Sequence, residues 1–301
     1  MLWLPVTLLT ALSSATGDAI LKARFSHLTP ARMAIVRTLA PVPFLLPALL
    51  SIKWPRLGPD FWQTLAYLVP LEVLALILYM KALKVSPLSL TIPFLAFTPV
   101  FIVLTGWLVL GERVSAFGLL GIILTVCGSY VLNIGAFRHG VFAPFKAILK
   151  EKGSFLMLGV AIIYSLTSVL GKRAIQFSNP MFFACFYFVL LGFIVPPIMV
   201  FLDKRPGSKE KGHSNGLKNY IECIRPSGAW LGVGLSQAVM VLTHMWAIYL
   251  VKAAYMIAVK RTSLIFSVLY GKIVFKEEEI TQRLAGSALM VLGVALIALS
   301  G

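Results

Sequence analysis

Ten stretches of roughly 20 predominantly apolar residues, each long enough to cross a bilayer core as a helix, follow one another along this 301-residue chain. They lie near residues 3–21, 30–51, 61–80, 88–110, 115–134, 154–171, 180–202, 228–249, 254–275 and 283–300. No interval between them is long enough for a sizeable soluble domain. The composition agrees: 13% of residues are charged and mean hydropathy is +0.90, against about 25% charged residues in a soluble domain. The expectation is an all-α, multi-pass integral membrane protein with ten transmembrane helices. Its first stretch opens Met1-Leu2-Trp3-Leu4-Pro5, without the basic segment that begins a secretory leader, and is expected to be a retained span.

Charge then bears on orientation. A net charge of +16 would suggest nucleic acid in a soluble protein, but here most of it lies in short connections between spans. Seventeen Lys and Arg residues fall in or beside the odd-numbered connections, among them Lys22, Arg24, Lys81, Lys204 and Arg205. Six fall beside the even-numbered ones: Lys53, Arg56, Arg113, Lys172, Arg173 and Lys252. By the positive-inside rule the odd connections are cytoplasmic and both termini lie outside. No nucleic-acid partner is expected. The three cysteines, Cys127, Cys185 and Cys223, have no Cys-x-x-Cys spacing and read as small apolar side chains and one loop thiol; neither metal nor cofactor is expected.

The sequence is also duplicated. A shift of 165 residues brings Gly106, Glu112, Gly121 and Gly128 onto Gly271, Glu277, Gly286 and Gly293. The segments concerned are "WLVLGERVSAFGLLGIILTVCG" and "KIVFKEEEITQRLAGSALMVLG". Earlier in the chain a shift of 150 brings "ALSSATGDAILKARF" onto "AIIYSLTSVLGKRAI", Lys22 onto Lys172, Pro30 onto Pro180 and Pro47 onto Pro197. The polar insert at 203–228 absorbs the difference. The units read as a five-helix repeat at 1–135, a connection at 136–153 and a second five-helix repeat at 154–301. Because five is odd, the second copy enters the membrane from the other side. Inverted repeats of this kind are a common plan of secondary transporters, which place the substrate near the midplane between the halves. The paired glycines, seven residues apart on one helix face, predict close backbone packing. Glu112 and Glu277, just before a helix, predict carboxylates at a positive helix N-terminus.

The segments "GERVSAFGLLGIILTVCGSYVL" and "KEEEITQRLAGSALMVLGVALIAL" resemble the closing part of the EamA repeat of the drug/metabolite transporter superfamily, and the resemblance covers essentially the whole chain as two copies. It implies ten helices around a central cavity and movement of small organic solutes. The second copy departs from the pattern at Lys276, where the first has Gly111.

Ionisable groups at membrane depth are costly and mark functional sites. Arg37, Glu72, His244, Lys260 and Arg261 qualify, while Asp18 lies near enough to a helix end to be interfacial. Under the repeat shifts Glu72 meets Gln237, Tyr79 meets His244 and Arg37 meets Tyr187. These pairs are expected to line a water-accessible cavity shared by both halves, unless Glu72 simply ties its helix to Arg37. Lys260 and Arg261 meet the apolar Leu95 and Ala96, so the architecture alone does not require charge there. On a continuous helix Lys260, Ser263, Ser267 and Gly271 form one stripe, with Arg261 about 100° away. Snorkelling to the interface is the competing reading, stretched by a depth on the order of 9 Å. The segment "VKRTSLIFS" is similar to the ninth-helix Lys-Arg segment of the triose-phosphate and nucleotide-sugar branch of the superfamily, which implies that Lys260 and Arg261 are anion ligands.

Counting Arg37, Lys260 and Arg261 against Glu72, the cavity is expected to favour an anionic or zwitterionic metabolite, such as an amino acid or a phosphorylated compound, through charge-assisted hydrogen bonds. The expected function is secondary transport by alternating access in a bacterial inner membrane. Glu72 and His244 are candidate proton relays, and no Gly-x4-Gly-Lys-Ser/Thr motif for ATP is present. A flippase for a phosphate-bearing lipid is the alternative within the same fold. A membrane enzyme is disfavoured because the ionisable groups stand singly, without a nucleophile–base set.

Overall fold

The computed structural model describes residues 2–85, 92–132, 152–203, 223–275 and 281–300. Every regular element among them is helical. In chain order these are α1 (Trp3–Phe25), α2 (Pro30–Leu39), α3 (Val42–Ser51), α4 (Pro59–Val85), a 3-10 turn (Ile92–Phe97), α5 (Thr98–Leu110), α6 (Ala116–Leu132), α7 (Lys152–Gln176), α8 (Pro180–Asp203), α9 (Gly228–Leu250), α10 (Ala253–Lys260), α11 (Ser263–Phe275) and α12 (Thr281–Ser300). Seven segments are long and apolar enough to cross a membrane, with α2–α3 and α10–α11 each counting as one. Three shorter apolar helices, Phe94–Leu110, Ala116–Val131 and Ala285–Ser300, occupy the other places where the sequence predicts spans.

Helix starts follow from local chemistry. Thr29 precedes Pro30, and its Oγ1 accepts from the Arg32 amide. Asn179 precedes Pro180, and its Oδ1 accepts from the Phe182 amide at 2.8 Å. These two N-caps, each followed by a proline whose missing N–H costs nothing at that position, are related by the 150-residue shift. Ser227 caps α9 in the same way through the Trp230 amide. Gly111 ends α5 in the left-handed conformation, φ 68°, where a side chain would be strained.

Packing closes under exchange of the two sequence halves. Helix α1 lies along α9, and α4 lies along α7; the repeat shifts convert the first pair into the second. Likewise α7 contacts α5, and α1 contacts α11. Helices α2 and α3 pack on their own counterpart α8, as α6 packs on α12. Apolar side chains alone give little drive for helix association in lipid, so close backbone approach matters more. At the α6–α12 contact a Cβ added to Gly121 would stand 2.6 Å from the Gly293 carbonyl oxygen, and one added to Gly128 would stand 2.7 Å from that of Gly286. The glycine pattern in the sequence is therefore a helix-packing seam.

Glu112 corrects one expectation. Its carboxylate does not serve the helix that follows it. Oε2 accepts from the Ala253 amide at 2.8 Å, capping α10 in the other half of the chain. Oε1 receives Lys172 Nζ, whose other acceptor is the Val251 carbonyl. Tyr255 adds a second tie, as its hydroxyl lies 3.1 Å from both the amide and the hydroxyl of Ser115. The link between α5 and α6 is thus pinned to the start of α10. Glu277 and Lys276 lie outside the described residues.

Candidate functional site

Sequence periodicity predicts one helix over 254–275. The structure breaks it. Helix α10 ends at Lys260, α11 begins at Ser263, and a tight turn joins them. The turn replaces four-residue bonds with shorter ones: Thr262 N–H donates to the Val259 carbonyl at 3.0 Å, and Leu264 N–H to the Arg261 carbonyl at 3.0 Å. The 165-residue shift carries 260–262 onto 95–97, the end of the 3-10 turn, and Ser263 onto Thr98, the first residue of α5. Both halves therefore interrupt this helix at the same place, and α10 packs against α5.

The break sends Lys260 and Arg261 to different neighbours. Lys260 Nζ sits 3.1 Å from His244 Nδ1 and 3.7 Å from Met240 Sδ, both on α9. Arg261 Nη2 donates to Thr98 Oγ1 at 3.0 Å, reaching into the first half, while its Nε is buried with no hydrogen-bond partner. The expected stripe from Lys260 to Gly271 does not persist, because the turn rotates α11 relative to α10. Ser263 opens α11, its carbonyl accepting from Ser267, and no side-chain hydrogen bond ties it to this group of residues.

Arg37 pairs with Asp18 at 2.6 Å, and the two side chains are 43% and 44% exposed. The alternative tie between Arg37 and Glu72 is not formed. Asp18, expected at the interface, instead stands within electrostatic reach of Lys260 and Tyr79. Glu72 lies beside Thr167 and Tyr187 and within reach of Lys260. Tyr187 is buried and stacks on Phe183 at 5.2 Å; its hydroxyl is near Glu72 but meets hydrogen-bond geometry with no partner. Tyr164 lies among Glu72, Tyr79, Arg37 and Arg261. Gln237 departs from expectation. It is only 3% exposed, and its amide closes against Gly17 between α1 and α9, so it packs a seam and does not face open space.

Polar groups from α1, α2, α4, α7, α9 and the α10–α11 turn thus converge, and several remain partly exposed. Six elements cannot turn these residues toward lipid and toward one another at once, so the surface they share is the space they enclose. Sequence reasoning found the costly ions but missed Asp18 as Arg37's partner, and it missed Tyr164, Thr167 and Thr98. Only Asp18 carried a signal, as an acid in an apolar helix. Groups of three or more His, Cys, Asp or Glu that could hold a metal are absent among the described residues.

The model of the EamA-like transporter family matches residues 1–134 and 151–299. The chain belongs to the EamA-like transporter family. It is accordingly an integral, multi-pass membrane protein of the drug/metabolite transporter superfamily with two EamA repeats. Among solved structures, one titled "Crystal structure of protein" superposes on this EamA-family chain with a TM-score of 0.71 at 15% identity, covering 99% of this chain and 96% of the other. That likeness concerns the fold alone. No curated protein matches by sequence.

Proposed function

We propose that this protein is a secondary transporter moving a small anionic or zwitterionic metabolite, such as an amino acid or a phosphorylated compound, by alternating access. The observation that carries the proposal is the placement of Lys260 and Arg261 at a helix break, facing groups from both halves. Broken helices at the midplane are where inverted-repeat transporters bind solutes.

The proposed architecture has ten spans in two inverted five-helix repeats, at 1–135 and 154–301, joined by 136–153. Its support is the exchange of helix contacts between halves and the matching breaks. Charge bias favours cytoplasmic odd connections and a bacterial inner-membrane setting.

The balance of charge is finer than a count of cations against Glu72. Asp18 offsets Arg37, leaving Lys260 and Arg261 against Glu72. An excess of one positive charge suits a monoanion, or a zwitterion whose ammonium group faces an acid. Glu72, among Tyr187, Thr167 and Lys260, is the candidate proton relay, with His244 beside Lys260 as the second.

The test is a thermal-shift screen of purified protein against amino acids, phosphorylated metabolites, dicarboxylates, organic cations and a phosphate-bearing lipid, in wild type and Lys260→Ala/Arg261→Ala. Ligands that bind the folded state raise its apparent stability. Stabilisation by one soluble anionic class that the double variant loses supports the proposal. Stabilisation by cations, or equally by anions in both proteins, refutes the anion site, and response to the lipid alone identifies a flippase.

A further inference from the structure

The three cations of the central site are held by different kinds of acceptor. Arg37 is held by a carboxylate, which cancels its charge. Lys260 is held by an imidazole nitrogen and a thioether sulfur, and Arg261 by a hydroxyl. Those acceptors fix direction and leave the charge uncancelled.

Thr98 is built for this task. It is 1% exposed, and a hydroxyl has one proton to give and two lone pairs. The proton is committed to the Leu95 carbonyl at 2.7 Å, within the turn that precedes α5. That bond fixes the hydroxyl rotor and aims the lone pairs outward, where one receives Arg261 Nη2 at 3.0 Å. The Arg261 Nε stays buried and unpartnered, and a buried donor left so is expensive unless something else is to take it. A guanidinium carries five donors, so a hydroxyl on one nitrogen leaves others for a carboxylate or phosphate.

We infer that Thr98 is a positioning residue which, from the helix break of the first half, aims Arg261 of the second half at an anionic solute without neutralising it. This inference rests on the anion-transport reading above.

The test compares Thr98→Ser, Thr98→Val and Thr98→Asp with wild type. Affinity for inorganic phosphate, a dicarboxylate and a set of α-amino acids is read by thermal shift and isothermal titration. Serine keeps the oriented hydroxyl and is expected to bind the preferred anion as wild type does. Valine keeps the shape, removes the acceptor and should weaken binding about tenfold, or about 1.4 kcal/mol. Aspartate supplies an acceptor that also cancels the charge. It should weaken binding further than valine, although the ligand-free Thr98→Asp protein melts no lower than Thr98→Val. A merely structural Thr98 predicts the reverse order, with aspartate binding as well as serine. That order, or a valine variant that binds as wild type does, overturns the inference while leaving the anion site standing. Loss of no affinity in Lys260→Ala/Arg261→Ala, or no anion binding by wild type, overturns the site itself and the inference with it. If Thr98→Asp cannot be purified, the serine–valine comparison still decides.

Discussion

Lys260 and Arg261 are neighbours in the chain but not in their contacts, one turned to α9 and the other to α5. Removing each should therefore have distinct effects. His244→Ala takes away the imidazole nitrogen beside Lys260 and should weaken anion binding several-fold. His244→Gln, whose side-chain oxygen can still accept, should weaken it less, as read by titration calorimetry. Glu72 has neighbours that can share a proton, Thr167 and Tyr187. Glu72→Gln is expected to abolish proton-driven uptake into proteoliposomes while leaving solute exchange intact. Loss of both activities together, or of neither, would refute the relay role. At this scale the sequence was readable where a charge stood out against an apolar background, as with Arg37, Glu72 and Lys260. It was silent where the partner was a common residue, as with Thr98 and Tyr164, because nothing in an isolated threonine reports what will approach it.

The elements were legible in proportion to how local their causes are. Apolar length fixed the spans, and Thr29-Pro30 and Asn179-Pro180 mark two helix starts. The break after Lys260 had no such mark: 260–262 contains neither proline nor glycine, and the interruption becomes apparent only beside its counterpart at 95–97. Glu112 was expected to cap its own helix, but a carboxylate goes to the nearest unsatisfied amides, and tertiary packing placed the start of α10 there. The Glu112 and Lys172 side chains are 14% and 9% exposed. Deleting one member of such a buried pair strands the other, at about 3–5 kcal/mol. Glu112→Ala should accordingly lower the melting temperature of detergent-solubilised protein markedly. Glu112→Gln, which can still accept from the Ala253 amide, should lower it less. Gly128→Leu should be worse tolerated than Gly159→Leu, since a Cβ at 128 meets backbone whereas one at 159 meets nothing within 4 Å. Yield and melting temperature would show the difference.

For the whole molecule, duplication in the sequence was the most informative signal, because it related distant helices before any contact was known. Orientation rests on charge bias alone and has a direct check. In a background lacking Cys127, Cys185 and Cys223, a cysteine at Lys53 should react with an impermeant maleimide in intact cells, and one at Ser26 should react only after lysis. The reverse pattern would invert the topology. The contacts carry one more consequence. Because α1 lies on α9 and α4 on α7, each half completes the other's packing and neither half is a finished object. The molecule is in effect a dimer whose two subunits happen to share a peptide chain. Residues 1–135 and 154–301, made as separate polypeptides in one cell, should find each other and co-purify, whereas either fragment made alone should be degraded.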